Sequence, residues 1–133
     1  MQKKCKICIK NYEIIIDLND SETAKKIWES LPINSKANVW GEEVYFYISV
    51  SAALEKNAKD VINFGEIVYW SAGKAIAIGF GKTPISVESE IRLADKCNVW
   101  GTTSFDLKKL KDVELGCEVL VEKYEQKVDE QCN

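Results

Sequence analysis

The sequence predicts a mainly β domain whose strands close into a barrel or a sandwich, and three features carry that prediction. Seven or eight short runs alternate apolar and polar residues at the period of a strand, one stretch alone has a clear helical period, and turn residues separate the runs. Closure of the sheet hides the strand edges that otherwise invite aggregation.

Residues 4–10 (K-C-K-I-C-I-K) and 12–18 (Y-E-I-I-I-D-L) read as a hairpin turning at Asn11. Asp20 or Ser21 caps the helix that follows, Glu22 lies in its first turn, and Pro32 ends it. Ala24, Ile27, Trp28 and Leu31 fall at i, i+3, i+4 and i+7 and form its apolar face, while Lys25, Lys26 and Glu29 face water. Residues 33–42 look irregular. Residues 44–49 form the next strand, with Val44, Phe46 and Ile48 on one side and Tyr45 and Tyr47 on the other. Residues 51–63 have helical composition without Pro or Gly and read as a short helix or a long connection.

Residues 66–80 form a second hairpin, turning at residues 71–74. Its second strand puts Ala75, Ala77 and Gly79 on one face and Ile76, Ile78 and Phe80 on the other. The strip of small residues lets another layer or a ligand approach closely. Residues 81–84 are a loop and 85–93 partly extended; Asn98, Val99 and Trp100 suit a short strand, and residues 106–112 a helical turn with Leu107 and Leu110 inward. In the last strand Cys117, Val119 and Val121 alternate with Glu118 and Glu122. Residues 1–124 are expected to form the domain, and the polar residues 125–133 a flexible tail. Asn38-Val39-Trp40-Gly41 recurs as Asn98-Val99-Trp100-Gly101, but the flanks differ, so the echo reads as coincidence or similar strand-end geometry.

At 133 residues the chain suits one domain that folds without metal or disulfide. No apolar run approaches the length of a membrane span, and no signal-peptide pattern follows the N-terminal lysines; the expectation is a cytoplasmic protein without a membrane partner. Net charge is −3, and the acid excess sits in residues 105–133, which carry five lysines against eight acids. No basic stripe marks a nucleic-acid partner.

Five cysteines, an odd number, suit free thiols in a reducing compartment. Cys5 and Cys8 match C-x-x-C, but on a strand they point to opposite faces, and neither a second such motif nor any histidine accompanies them. The lack of histidine excludes Ser-His-Asp and Cys-His catalysis and histidine ligation of a metal. Gly79-Phe80-Gly81-Lys82-Thr83 ends like a phosphate loop but lacks its spacing and following helix. Glu42 and Glu43 are adjacent and diverge on a strand; Glu88 and Glu90 can share one face, which reads as a solvated edge. No cofactor is called for.

The run A-N-V-W-G-E-E-V-Y-F (37–46), preceded by W-E-S-L-P-I (28–33) and followed by G-E-I-V-Y-W-S-A-G-K-A-I-A-I-G-F-G-K-T-P-I-S (65–86) and E-I-R (90–92), resembles the small prokaryotic cyclophilin-like domain family. The resemblance extends from about Lys6 to Glu122. It implies a closed antiparallel eight-stranded barrel with one or two helices. True cyclophilins isomerise X-Pro bonds with an arginine set among Phe, Gln, Trp and His. This chain has no histidine, and its single arginine, Arg92, lies outside that motif, so the catalytic set does not carry over.

The leading expectation is therefore non-catalytic binding of a small molecule or peptide, with Tyr47, Trp70, Phe80, Thr83 and Arg92 as candidate contacts beside Tyr45. Trp70 and Phe80 suit the core as well as a groove, and Arg92 suits a surface ion pair as well as an acidic ligand. The alternatives are a divergent peptidyl-prolyl isomerase and a structural protein, for example a homo-oligomer burying the tyrosine face.

Overall fold

Isoleucines at alternate positions build the first hairpin. In the computed structural model, which describes residues 3–125, β1 (Lys4–Ile9) and β2 (Tyr12–Leu18) pair antiparallel, with Ile7 opposite Ile14 and Cys5 opposite Ile16, all buried. Lys10 takes the positive φ of the turn, beside Asn11. Ser21 caps α1 (Glu22–Ser30), its Oγ accepting a hydrogen bond from the Ala24 N–H at 3.0 Å. Ala24 and Ile27 are buried, Trp28 and Leu31 pack half-buried on the core, and the helix stops before Pro32.

The stretch expected to be irregular is two short strands, β3 (Ile33–Lys36) and β4 (Asn38–Val39). They flank Ala37, whose N–H donates to Cys117 O and whose carbonyl accepts from Gly116 N–H, both at 2.8 Å. β5 (Glu43–Tyr47) follows. The helix weighed for residues 51–63 is absent. The barrel's side chains bind that backbone instead: Tyr69 Oη donates to Val50 O at 2.5 Å, Ser71 Oγ to Ala52 O at 2.6 Å and Asn98 Nδ2 to Ala53 O at 2.9 Å. With its carbonyls engaged sideways the segment forms no helix; it turns at residues 56–57, where Ala58 N–H donates to Glu55 O at 3.1 Å, and enters β6 (Lys59–Ile62).

β7 (Glu66–Trp70) and β8 (Ala75–Gly79) make the expected second hairpin. The short strand at Asn98 is part of a long one, β9 (Ile91–Thr102). A 3-10 helix (Leu107–Asp112) with Leu107 and Leu110 buried leads to β10 (Glu118–Tyr124). The Cys132 end of the expected tail lies outside the described residues.

The strands run in the order β3-β10-β1-β2-β9-β7-β8-β5-β4, each pair antiparallel. β3 pairs with β10 at one edge and β4 with β5 at the other, so the stave bent at Ala37 joins the two edges of a nearly closed barrel. Ser35 Oγ donates to Tyr47 O at 2.6 Å across the seam. There are ten strands where the resemblance implied eight. The difference lies in the bend that splits β3 from β4 and in β6, which pairs only with β9 outside the ring. The interior is filled by side chains such as Ile7, Ile16, Phe46, Tyr69, Ile76 and Trp100. Among the described residues no helix is long and apolar enough to cross a membrane.

β9 explains the second layer. Its C-terminal part pairs with β7 in the ring, with a bulge at Trp100, while its N-terminal part leaves the ring and pairs with β6. The resulting β6–β9 arm lies over the outer face of β7 and β8, sealed by Ile62, Val68, Ala77, Ile91, Leu93 and Cys97.

Candidate functional site: a cavity beneath the β6–β9 arm

Alternation along β5 turns Val44 and Phe46 into the barrel and Glu43 and Tyr45 outward, toward the arm. Register places Glu43 opposite Gly79, Tyr45 opposite Ala77 and Tyr47 opposite Ala75 on β8. The strip of small residues admits a second layer, one of the two alternatives the sequence left open. At Gly79 the arm closes directly on the sheet, and a Cβ there would meet Ile91 Cγ2 at 2.6 Å. At Ala75 and Ala77 the short side chains leave a cavity of about 240 Å³. Trp40, Tyr45 and Trp70 supply aromatic walls, Leu93 and Cys97 come from the arm, and Asp95 stands exposed at the rim.

Glu43 is the chemical anomaly. It is 7% exposed, and its Oε1 is buried without a hydrogen-bond partner. Burial pushes its carboxyl up to about 7. The indole Nε1 of Trp70, another wall of the cavity, is also buried without a partner. The Cys97 thiol is pushed up to about 12, first by burial and then by the negative charges of Glu43, Asp95 and Asp60, so it stays protonated and is a poor nucleophile. Tyr45 is also raised, by burial first and then by Tyr47. The lining thus offers an apolar aromatic body, one deeply buried carboxyl and an unused indole donor.

Glu42 diverges from its neighbour as expected, its Oε1 accepting from Lys82 N–H at 2.9 Å. Gly41, at φ +61°, lets this turn pack against the backbone of Lys82 and Thr83. The turn presents Trp40 to the cavity, whereas Trp100 of the repeated tetrapeptide is fully buried in the barrel; the two copies share no environment.

Of the five candidate contacts, Trp70 lines this cavity. Tyr47 is 51% exposed, packs edge-on against Tyr45 at 5.7 Å, and borders a separate cleft with Pro32 and Ser49. Phe80 is 3% exposed within the barrel core. Thr83 Oγ1 donates to Arg92 O at 2.6 Å and ties the 81–90 loop to β9. The Arg92 guanidinium pairs with Glu90 at 2.5 Å and Asp60 at 3.3 Å. The structure therefore brings Thr83 and Arg92 together, and Tyr47 beside Tyr45, but does not gather the five in one place. Glu43, Trp40 and Cys97 were missed. The signal for Glu43 was its place two residues before Tyr45, on the same face of the same strand. Cys5 and Cys8 do lie on opposite faces of β1, the first buried in the core and the second half-buried outside it.

This architecture defines a cyclophilin-type barrel, and the family comparison agrees: residues 3–122 match the cyclophilin-like family, to which the chain belongs. It is similar to the solution structure of a hypothetical protein from Archaeoglobus fulgidus, at 39% identity and a TM-score of 0.79, over 92% of this chain and 95% of that one. No curated protein matches the chain.

Proposed function

We propose that the protein binds a small molecule in the cavity between the β6–β9 arm and the outer face of β5, β7 and β8, without transforming it. The observation that carries this reading is Glu43, a buried carboxyl with no partner in an aromatic cavity. Burying a carboxyl without a hydrogen bond costs several kcal/mol or forces it neutral, and an occupant supplying that bond removes the penalty. Apolar walls with a few convergent polar groups are the usual composition of ligand sites. The volume of about 240 Å³ is below the range of drug-sized pockets and favours a small ligand over a peptide. Trp40, Tyr45 and Trp70 form the walls and Glu43 fixes orientation. The lining contains no arginine to polarise an X-Pro amide, which favours binding over isomerisation. Four free thiols among the described residues suit a reducing, cytoplasmic setting.

A fragment screen followed by amide and indole NMR tests the reading. Binders are expected to shift Ala75, Ala77 and the Trp70 indole together. Shifts confined to the cleft around Pro32 and Tyr47, or exchange of a proline tetrapeptide above background, would replace it.

A further inference from the structure

We infer that the cavity selects an organic cation, an alkylated ammonium group held between Trp40, Tyr45 and Trp70 with Glu43 as its counter-charge. This rests on the binding reading above and names the ligand class. Three aromatic side chains and two carboxylates, Glu43 within and Asp95 at the rim, line one cavity, and no lysine or arginine lines it. Ring faces attract cations through their quadrupole, most strongly when water is excluded, and aromatic cages with a nearby carboxylate suit methylated ammonium groups. An anion would meet two negative side chains and no positive one. A neutral apolar ligand would fill the walls and leave Glu43 Oε1 as unpartnered as it now is. A metal ion lacks a ligand set, since no three His, Cys, Asp or Glu groups converge among the described residues. A primary ammonium would ask for three acceptors. An alkylated one spreads its charge over methyl groups that pack on Ala75, Ala77 and Leu93.

Binding would favour the charged form of Glu43 and release its proton. The charged groups on the surrounding elements are Glu42 on the preceding turn, Lys59 and Asp60 on β6, Glu66 on β7, and Arg92, Asp95 and Lys96 on β9, with Tyr45, Tyr47, Tyr69 and Cys97 as further titratable side chains; Lys59 pairs with Glu66 at 2.8 Å and Arg92 with Glu90 and Asp60, and no lysine or arginine is part of the lining. Affinity is therefore expected to rise from pH 5 to pH 8 and to be nearly flat with pH in Glu43→Gln.

The test compares choline and tetramethylammonium with 3,3-dimethylbutan-1-ol, the neutral counterpart of choline, and with butyrate, following amide and indole NMR shifts in the wild type and Glu43→Gln. The cations are expected to shift Ala75, Ala77 and the Trp70 indole, to bind about tenfold or more tightly than the neutral alcohol, and to lose about tenfold in Glu43→Gln. Replacing Glu by Gln removes the ionisable group and keeps the volume, and the variant's own amide spectrum reports that it folds. Equal shifts from the neutral alcohol, unchanged in Glu43→Gln, or shifts from butyrate alone, overturn the cation while the cavity remains a binding site. If instead fragments of any class shift the cavity residues and the cations do not, the cation also falls and the site stands. No cavity shift from any probe or fragment removes both readings.

Discussion

Gly79 on β8 and Ile91 on β9 touch where the arm meets the barrel: a Cβ at position 79 would lie 2.6 Å from Ile91 Cγ2. Ile91 is buried in the small apolar cluster that seals the arm. This contact sets the height of the arm above the sheet, and hence the depth of the cavity further along β8.

Gly79→Ala should therefore lift the N-terminal part of β9. Overpacking of this kind costs about 1–3 kcal/mol, to be read as a lowered urea midpoint at unchanged slope. Amide shifts should concentrate on β6 and β9. Shifts spread evenly through the barrel would mean that the arm does not rest on this contact.

Asn98 locks the other end of the arm. It is fully buried; its Nδ2 donates to Thr23 Oγ1 and Ala53 O, both at 2.9 Å, and its Oδ1 accepts from Glu55 N–H at 2.8 Å. Glu55 in turn accepts from the Thr23 N–H at 3.0 Å, so one side chain joins β9, α1 and the 50–55 segment. Asn98→Ala strips partners from buried groups and should cost about 1–3 kcal/mol in chemical denaturation. Asn98→Asp, which keeps the acceptor but loses both donors and adds a buried charge, should cost more. A Asn98→Asp variant as stable as the wild type would show that the donors contribute nothing.

Alternation made the hairpins and the two faces of β5 and β8 readable, because each strand there has one face in the core. It failed where pairing with distant residues decides the conformation. Ile33-Asn34-Ser35-Lys36 carries little apolar pattern, yet its backbone completes a ladder with β10. Residues 51–63 have helical composition, yet the side chains of Tyr69, Ser71 and Asn98 hydrogen-bond the backbone at Val50, Ala52, Ala53 and Glu55. The site suffered in the same way. Trp70 was legible as an aromatic on a candidate strand. The burial of Glu43 depends on an arm contributed by residues about fifty positions later, and no local pattern announces that.

Glu43 should leave a mark on stability as a function of pH. Burial raises its carboxyl from 4.5 to about 7, so between those values the folded protein holds a proton that the unfolded chain has released. Stability then falls as pH rises through this window and levels off above it, the reverse of an ion-paired acid. For a rise from 4.5 to about 7 the full difference is on the order of 3 kcal/mol. Glu43→Gln should remove this component, so the variant gains on the wild type from pH 5 to pH 8 in urea titrations. Parallel curves for the two proteins would show that the carboxyl is hydrated rather than buried.

Cys97 and Cys5 offer a comparison of arm and barrel within one molecule. Burial pushes both thiols up to about 12, which leaves roughly a thousandfold less thiolate than an ordinary cysteine near neutral pH. Because the intrinsic reactivities match, a difference in labelling reports access. Cys5 lies in the main barrel core and Cys97 in the small cluster beneath the arm, so lifting the arm exposes Cys97 while Cys5 needs the barrel itself to open. In native buffer the half-buried Cys8 and Cys117 should react with iodoacetamide first. At urea concentrations below the unfolding transition Cys97 should follow, well ahead of Cys5, and Gly79→Ala should speed Cys97 alone, as peptide mass spectrometry would resolve. Equal rates for Cys5 and Cys97 at every concentration would mean that arm and barrel open as one unit, and a ligand would then have to enter through the rim beside Asp95.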